Sequence, residues 1–307
     1  MGYHQQVLCL KDGNAMGALF TFRHSVLLSL SLLLSLLLPT AQAADDPAYD
    51  YLKSRQMRAI TVEGTELPVL VRPWEGKNQH GAALIFADTG FGADAPGLVA
   101  FLRDGLSPLG WASISMTPPS NPPHPSFATA PEEVARAGDK QLSSPADKAM
   151  DKFSPQEWQQ HVDTQLGFVE ASLGQLDQIG AAYPGKRILV SMDRSAALLL
   201  QLLADGKVAP PDLLVIINPY SESPDFDERL PGLVAVQEVP VLDIQSPDGN
   251  RASLATASLR RANSAMKDAM AYRQLPLALN ISEPDAWADV LSAIRGFAAS
   301  VKAAPLN

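Results

Sequence analysis

Cysteine is almost absent from this sequence. The one cysteine, Cys9, stands ahead of the first long apolar run, in a stretch that is typical of a leader and not of a folded core. Without that leader no cysteine remains, which excludes disulfide bonds, thiol catalysis and thiolate metal sites together. We expect no cofactor and no metal site.

Histidine is missing from the last part of the chain. The five histidines are His4, His24, His80, His124 and His161. Hydrolases that carry their nucleophile on a strand-to-helix turn place the catalytic histidine after both the nucleophile and the acid. A catalytic set in that order is therefore excluded for any nucleophile that follows residue 161.

Basic clusters are missing as well. The chain has 24 Lys and Arg against 33 Asp and Glu, a net charge of −9, and no basic run interleaved with aromatic residues. Because an acidic surface repels phosphate backbones, we expect no nucleic-acid partner. With 46% hydrophobic and 19% charged residues, the composition is that of a packed globular protein.

Residues 1–43 are typical of an upstream extension followed by a secretory signal peptide. Arg23 precedes an uncharged run at 26–38, and Ala-Gln-Ala43 then offers a cleavage site of the A-x-A type. The run is too short to span a bilayer comfortably. We therefore expect cleavage after about Ala43 and a periplasmic protein of residues 44–307 without a permanent membrane span.

The remaining chain alternates strands with helices, which is typical of an α/β fold with a mostly parallel sheet. A hairpin comes first, and the following apolar runs suit strands that are covered on both faces. We predict about eight strands, with helices on both faces of the sheet, at 57–62, 67–72, 82–87, 110–116, 186–190, 213–217, 239–244 and 272–279. Helices are predicted at 96–106, 154–179, 194–203, 253–267 and 283–301.

A proline-rich excursion interrupts this alternation at 117–155. It contains eight prolines and few large apolar residues, which indicates a segment that runs over the surface. Because it leaves the C-terminal end of a predicted strand, it is either a lid over the site, an irregular loop or a segment on which a partner docks.

The segment 187–203 has the pattern of a nucleophile elbow. In such an elbow, small residues two before and two after the nucleophile let a strand turn sharply into a helix. Ser191 and Ser195 hold the small positions, with Met192 and Arg194 between them and Asp193 at the apex. We expect both serine hydroxyls to point into packing.

Asp193 has two interpretations. A carboxylate can act as the nucleophile, but the ester that it forms must be hydrolysed by a water that a base activates. Alternatively, Asp193 is the N-cap of the helix that begins at Arg194, since Asp is a favoured capping residue. Because no histidine follows it, capping is the interpretation that the sequence favours. His124 is the one candidate base, if the excursion folds over the turn.

Two further groups of residues belong at the same edge of the sheet. The loop Asp88, Thr89, Gly90, Phe91 and Gly92 stands where the oxyanion loop of such a fold belongs, and its glycines can turn N–H groups toward a ligand. The alternative is a plain tight turn, and the Asp88 carboxylate disfavours an oxyanion.

Asp243 and Asp248 follow at and after the strand that carries the acid of a catalytic triad. Asp248 also belongs to an Asp-Gly turn pair, which offers a structural explanation. If Asp88, Asp193 and Asp248 converge, their like charges raise at least one pKa or recruit a cation.

Short motifs outside the elbow make the chain similar to an uncharacterised family of secreted bacterial proteins with the α/β-hydrolase fold. They are Gly110-Trp111 opening a strand that ends in Pro118, then 241–244, 260–262 and 272–274. The resemblance covers about residues 51–299. It implies the α/β-hydrolase fold and an elbow that often lacks a serine, and it implies no particular reaction.

The sequence therefore favours a periplasmic α/β-hydrolase-fold protein without a working catalytic triad, acting as a binding or interaction module. Its partner is then an unidentified small molecule or periplasmic protein. The alternative is a hydrolase of the esterase, epoxide-hydrolase or dehalogenase type that uses Asp193 with a non-standard base, His124, and Asp248 as the acid.

Signal cleavage predicts a defined mature protein. Whether translation begins at Met1 or at Met16, the exported chain should begin at about Ala44, because the same A-x-A site is used. Intact-mass spectrometry of a periplasmic extract measures this directly. Recovery of the chain in the membrane fraction with residues 26–38 still attached would contradict it.

Overall fold

The computed structural model describes residues 56–121, 154–267 and 271–301. The strands are β1 (Met57–Val62), β2 (Thr65–Arg72), β3 (Gly81–Phe86), β4 (Trp111–Met116), β5 (Lys186–Met192), β6 (Leu213–Ile217), β7 (Val241–Gln245) and β8 (Arg273–Pro276). The α-helices are α1 (Leu98–Leu106), α2 (Pro155–Gly174), α3 (Asp177–Gly180), α4 (Asp193–Ala204), α5 (Pro224–Ala235), α6 (Arg251–Met266) and α7 (Pro284–Ser300).

The strands form one sheet in the order β1-β2-β4-β3-β5-β6-β7-β8. Strand β2 is antiparallel to both of its neighbours, and the pairs from β4 through β8 are parallel. Successive strand residues point to opposite faces, so β3 sends Leu84 into one apolar core and Ile85 into the other. The predicted mostly parallel sheet of about eight strands, with helices on both faces, is confirmed.

One helix, α5, was not predicted from the sequence. Its buried face is clear in the structure, where Phe226, Leu230 and Val234 recur every four residues. Two features hide the pattern: four charged residues among the first six, and Pro231 inside the helix, which normally interrupts helical hydrogen bonding. Packing into the core beside α4 and α6 therefore overrides a weak local preference for helix.

Three of the motif segments meet in one buried polar network. Arg260 on α6 and Asp243 on β7 are both 0% exposed and form a two-pronged ion pair, with Nε–Oδ2 at 2.8 Å and Nη2–Oδ1 at 3.2 Å. The Tyr272 hydroxyl and the Gln274 side-chain amide also donate to Asp243, at 2.7 and 3.1 Å. The network ties α6, β7 and β8 together, so these motifs have a structural role.

In residues 56–121, 154–267 and 271–301, none of the helices combines the length and the apolar character that crossing a bilayer requires.

The buried ion pair predicts a large loss of stability on single substitution. Asp243→Asn should lower the free energy of unfolding by about 3–5 kcal/mol, because it leaves the buried Arg260 charge uncompensated. Urea unfolding of both proteins measures the difference. Arg261→Gln, at the exposed neighbour of Arg260, is the matched control and should change it by less than about 0.5 kcal/mol. Equal effects of the two substitutions would refute the role of the pair.

Candidate functional site

The predicted sharp turn from β5 into α4 is present, with Asp193 at its apex. Asp193 has φ 51°, a left-handed conformation that non-glycine residues seldom adopt. Ser191 and Ser195 are 0% exposed, and among the described residues their hydroxyls have no hydrogen-bond partner. Both serine side chains are thus buried at the turn, and Asp193 at its apex is partly exposed.

The prediction that Asp193 caps its own helix was wrong. The N-cap residue is Met192, and its side chain makes no hydrogen bond to the helix. The N–H of Arg194 in the first turn is instead bound by the Asp88 carboxylate, with a nitrogen-to-oxygen distance of 3.0 Å. A residue 106 positions earlier in the chain therefore satisfies a helix N–H that a local cap would otherwise bind.

Asp88 and Arg194 form the central ion pair of the site. The Arg194 Nε lies 3.1 Å from both Asp88 oxygens, and its Nη2 lies 2.6 Å from Oδ2. The same guanidinium donates to Glu222 at 2.7 Å and to the Asn121 side chain at 3.0 Å. The Thr89 N–H also donates to Asp88, at 2.8 Å. The carboxylate thus accepts two backbone N–H groups and a two-pronged guanidinium.

The two N–H groups that Asp88 binds have a defined place in this architecture. An oxyanion hole is made by the N–H of the residue after the nucleophile and by an N–H from the loop after the third strand. Arg194 follows the apex residue, and Thr89 lies in the loop after β3. The Asp88 carboxylate therefore occupies the positions where an oxyanion would be bound.

The rest of the 88–92 loop is a turn. Of the two interpretations of this loop, the structure favours the tight turn at Gly90, whose N–H donates to the Pro119 carbonyl at 2.8 Å. The Phe91 N–H returns to the Asp88 carbonyl, and the Gly92 carbonyl accepts the N–H of Ala95. The Phe91 side chain is 51% exposed.

The charges of Asp88 and Asp248 both act on Asp193, and the pKa values of Asp193 and Asp248 change in opposite directions. Burial, with the charges of Asp88 and Asp248 added, raises the pKa of Asp193 to about 8 although Arg194 opposes the change. Asp193 is therefore mostly protonated at neutral pH. Burial alone would raise the pKa of Asp248, but hydrogen bonds from Ser246 and from two backbone N–H groups lower it to about 2.

The backbone donors to Asp248 come from the loop after β8. The N–H groups of Ile281 and Ser282 lie 2.8 and 3.0 Å from its two oxygens. That loop is where the chain order of hydrolases places the catalytic histidine. Asp248 lies at the position of the triad acid. Its carboxylate therefore accepts two backbone N–H groups from the loop that would carry the catalytic histidine.

Histidine does not reach Asp193 in the part of the chain that the structure describes. His80 packs against Trp111 with ring centroids 5.4 Å apart, and His161 packs against Trp158 at 6.4 Å. Neither contributes to the pKa of Asp193. His124 and most of the predicted excursion at 117–155 lie outside the described residues, so the role of His124 stays a prediction.

Sequence reasoning missed the polar residues that follow β6. Burial, with the charges of Asp88 and Asp193 added, raises the pKa of Tyr220 to about 12, although Arg194 opposes the change. Asn218, at the end of the strand, accepts from Gln245 and from the Ser246 N–H, at 2.8 and 2.9 Å. Their position after a parallel strand was the available signal, because ligands bind at that edge.

A metal site is not formed by the carboxyl groups that the structure describes. No group of three or more His, Cys, Asp or Glu residues in those ranges is arranged to hold an ion. Asp88 is neutralised by Arg194, and Asp248 is bound by backbone N–H groups. The convergence therefore acts through a raised pKa, which was one of the two predicted outcomes.

The sheet order and the turn define a protein of the α/β-hydrolase fold, and solved structures agree. An alpha-beta serine hydrolase homologue from Coxiella burnetii matches with 11% identity and a TM-score of 0.50, covering 80% of this chain and 99% of that one. Est1E from Butyrivibrio proteoclasticus matches with 9% identity and a TM-score of 0.52, covering 80% and 98%. At this identity the likeness shows the fold alone.

The chain belongs to the family described as Protein of unknown function (DUF3530), which matches residues 33–300. The predicted membership of an uncharacterised family with this fold is thereby confirmed. A search of curated proteins finds no match.

The raised pKa of Asp193 predicts a specific dependence of stability on pH. Unfolded Asp has a pKa of about 3.9, so between that pH and about 8 the native state holds a proton that the unfolded state has lost. The stability that this group contributes is present at acid pH and falls as pH rises through about 8.

Asp193→Asn, which stays neutral, removes that dependence. Wild type should therefore lose stability relative to the variant as pH rises from about 4 to about 8. Urea unfolding at a series of pH values measures the two curves, and parallel curves over this range would contradict the assignment.

Proposed function

We propose that this protein is a non-hydrolytic member of the α/β-hydrolase fold, exported to the periplasm, which uses the scaffold to bind a small molecule or a protein. The observation that carries the proposal is the Asp88 carboxylate on the N–H groups of Thr89 and Arg194. Donors aimed at the developing oxyanion are commonly the largest contribution to acyl-transfer catalysis. Here the two N–H groups already donate to the negatively charged carboxylate of Asp88.

The ion pair makes this occupancy strong. The side chains of Asp88 and Arg194 are 13% and 17% exposed, and charge-assisted bonds of this two-pronged geometry are among the strongest in proteins. A substrate carbonyl would have to displace a carboxylate from both N–H groups and from the guanidinium. An uncharged ester oxygen is a weaker acceptor than a carboxylate, so it does not compete.

The apex residue supports the same proposal. A protonated carboxyl is a poor nucleophile, and at neutral pH the pKa of Asp193 keeps it mostly in that form. A carboxylate nucleophile also needs a base to hydrolyse the ester that it forms. In the described residues the expected place of that base, the loop after β8, supplies main-chain N–H groups to Asp248.

A hydrolase that uses Asp193 is the second candidate. The φ of 51° at Asp193 favours it, because this is the backbone conformation that lifts a nucleophile above the sheet. In that mechanism His124 would be the base and Asp248 the acid. Asp88 would have to leave the two N–H groups before an oxyanion could form.

Two measurements on the mature protein test the proposal. The first is turnover of simple esters, epoxides and haloalkanes, which should stay at the rate of the uncatalysed reaction. The second is the melting temperature in acetate, a small carboxylate. Asp88→Ala frees both N–H groups and the guanidinium and should be stabilised by acetate. Asp88→Asn, the matched control, keeps an oxygen at that place and should respond no more than wild type.

Specific outcomes would overturn the proposal. Turnover by wild type that is lost in Asp193→Asn and in His124→Ala would establish the second candidate. Stabilisation of wild type by acetate as large as that of Asp88→Ala would show that Asp88 leaves the N–H groups readily. No response of Asp88→Ala would show that the donors are not a usable anion site.

A further inference from the structure

Helix α6 has its polar and apolar faces exchanged. A surface helix normally buries an apolar stripe and exposes polar residues. The buried residues of α6 are all polar: Ser253, Thr256, Arg260 and Ser264. Its large apolar residues face outward, with exposed fractions of 41% for Leu254, 54% for Leu259 and 77% for Met266. These are three of the six large apolar side chains that are exposed in the described part of the chain.

The buried face is polar for a structural reason. Arg260 reaches inward to Asp243 and also donates to the Ser253 carbonyl and the Thr256 hydroxyl, at 2.9 and 2.7 Å. The Ser253 hydroxyl donates to the Gln245 side chain at 3.0 Å. Within the ranges that the structure describes, α6 buries its polar side and exposes its large apolar side chains.

The outward face has the spacing of a helix-pairing seam. Ala255, Leu259, Ala262 and Met266 are all exposed and follow one another at intervals of four, three and four residues. This is the a and d pattern of a heptad repeat, and the two alanines let a second helix approach closely. We call these four residues the α6 seam. With 16 residues, the helix is about 24 Å long.

The exposed charges that the segment 249–267 itself carries are all positive. Arg251, Arg261 and Lys267 are exposed, and the segment 249–267 contains no acidic residue, in a chain of net charge −9. A partner that fits this face therefore carries apolar residues in its centre and acidic residues at its edges.

We propose that the α6 seam docks one amphipathic helix of another protein, with an apolar stripe and acidic flanks. Its footprint, about 24 Å by about 10 Å, is the width of a single helix and is smaller than the roughly 800 Å² that each partner of a stable globular complex contributes. A symmetric pairing of α6 with a second copy would bring Arg251, Arg261 and Lys267 against like charges.

An anionic lipid surface fits less well than a helix. Helix α5 packs alongside α6 and exposes Asp225 and Glu228, which a flat anionic surface would also have to approach. A single helix covers the width of α6 alone. The seam and the Asp193 turn are on different elements, so docking is independent of whether that turn is catalytic.

Designed peptides test the inference on the full mature protein. Two peptides of about three heptads carry Leu at positions a and d. The Glu peptide has Glu at positions e and g, and the Lys peptide has Lys at the same positions. Fluorescence anisotropy should show that the Glu peptide binds at least about tenfold more tightly than the Lys peptide. The double variant Leu259→Asp/Met266→Asp should lose this binding, and Arg251→Glu/Arg261→Glu should reverse the preference.

The controls separate docking from unfolding and from other occupants. Val236→Asp, at an apolar residue 47% exposed outside the seam, should bind like wild type, and all variants should melt like wild type. Failure of the Glu peptide to bind at about 100 µM, or equal binding of both peptides, overturns the proposal. Two other results would also overturn it. One is a dimer in sedimentation velocity that the double variant abolishes, and the other is cosedimentation with phosphatidylglycerol vesicles that the double variant abolishes.

Discussion

The carboxylate of Asp88 sets the chemistry of the C-terminal edge of the sheet. It accepts the N–H groups of Thr89 and Arg194, and the Arg194 guanidinium holds it from the other side. The loop after β3 and the first turn of α4 are joined through this one side chain. Burial, with the charge of Asp88 added, raises the pKa of Asp193 to about 8 and keeps it mostly protonated at neutral pH.

A second polar network extends from the core to the same edge. The buried pair of Arg260 and Asp243 connects through Gln245 to Asn218 and then to Ser246. Ser246 is in turn one of the groups that lower the pKa of Asp248. Helix α6 is thereby held by its polar side, and its large apolar side chains are exposed. Among the described residues, neither network brings a histidine to Asp193.

Local patterns were enough to predict the sheet and the turn. The continuous apolar runs of β3 and β6 and the small residues around Asp193 are strong signals because each lies within a few neighbouring residues. The convergence of Asp88, Asp193 and Asp248 was also predictable, since parallel strands end at one edge.

Long-range geometry was not predictable from the sequence. Asp193 could have capped its own helix, and nothing nearby in the sequence shows that Asp88, 106 positions from Arg194, takes that N–H. The orientation of α6 was hidden for a similar reason. Nothing near Arg260 in the sequence shows that its partner is Asp243 on β7, and this pair holds the polar side of α6 inward.

The amide proton shifts of Thr89 and Arg194 report on whether the Asp88 carboxylate binds both N–H groups. An N–H that donates to a carboxylate resonates downfield of one that does not. Both signals should therefore lie downfield in the nitrogen–proton spectrum of wild type, and both should move upfield in Asp88→Ala. If neither signal moves when Asp88 is removed, the carboxylate does not occupy these donors and the account is contradicted.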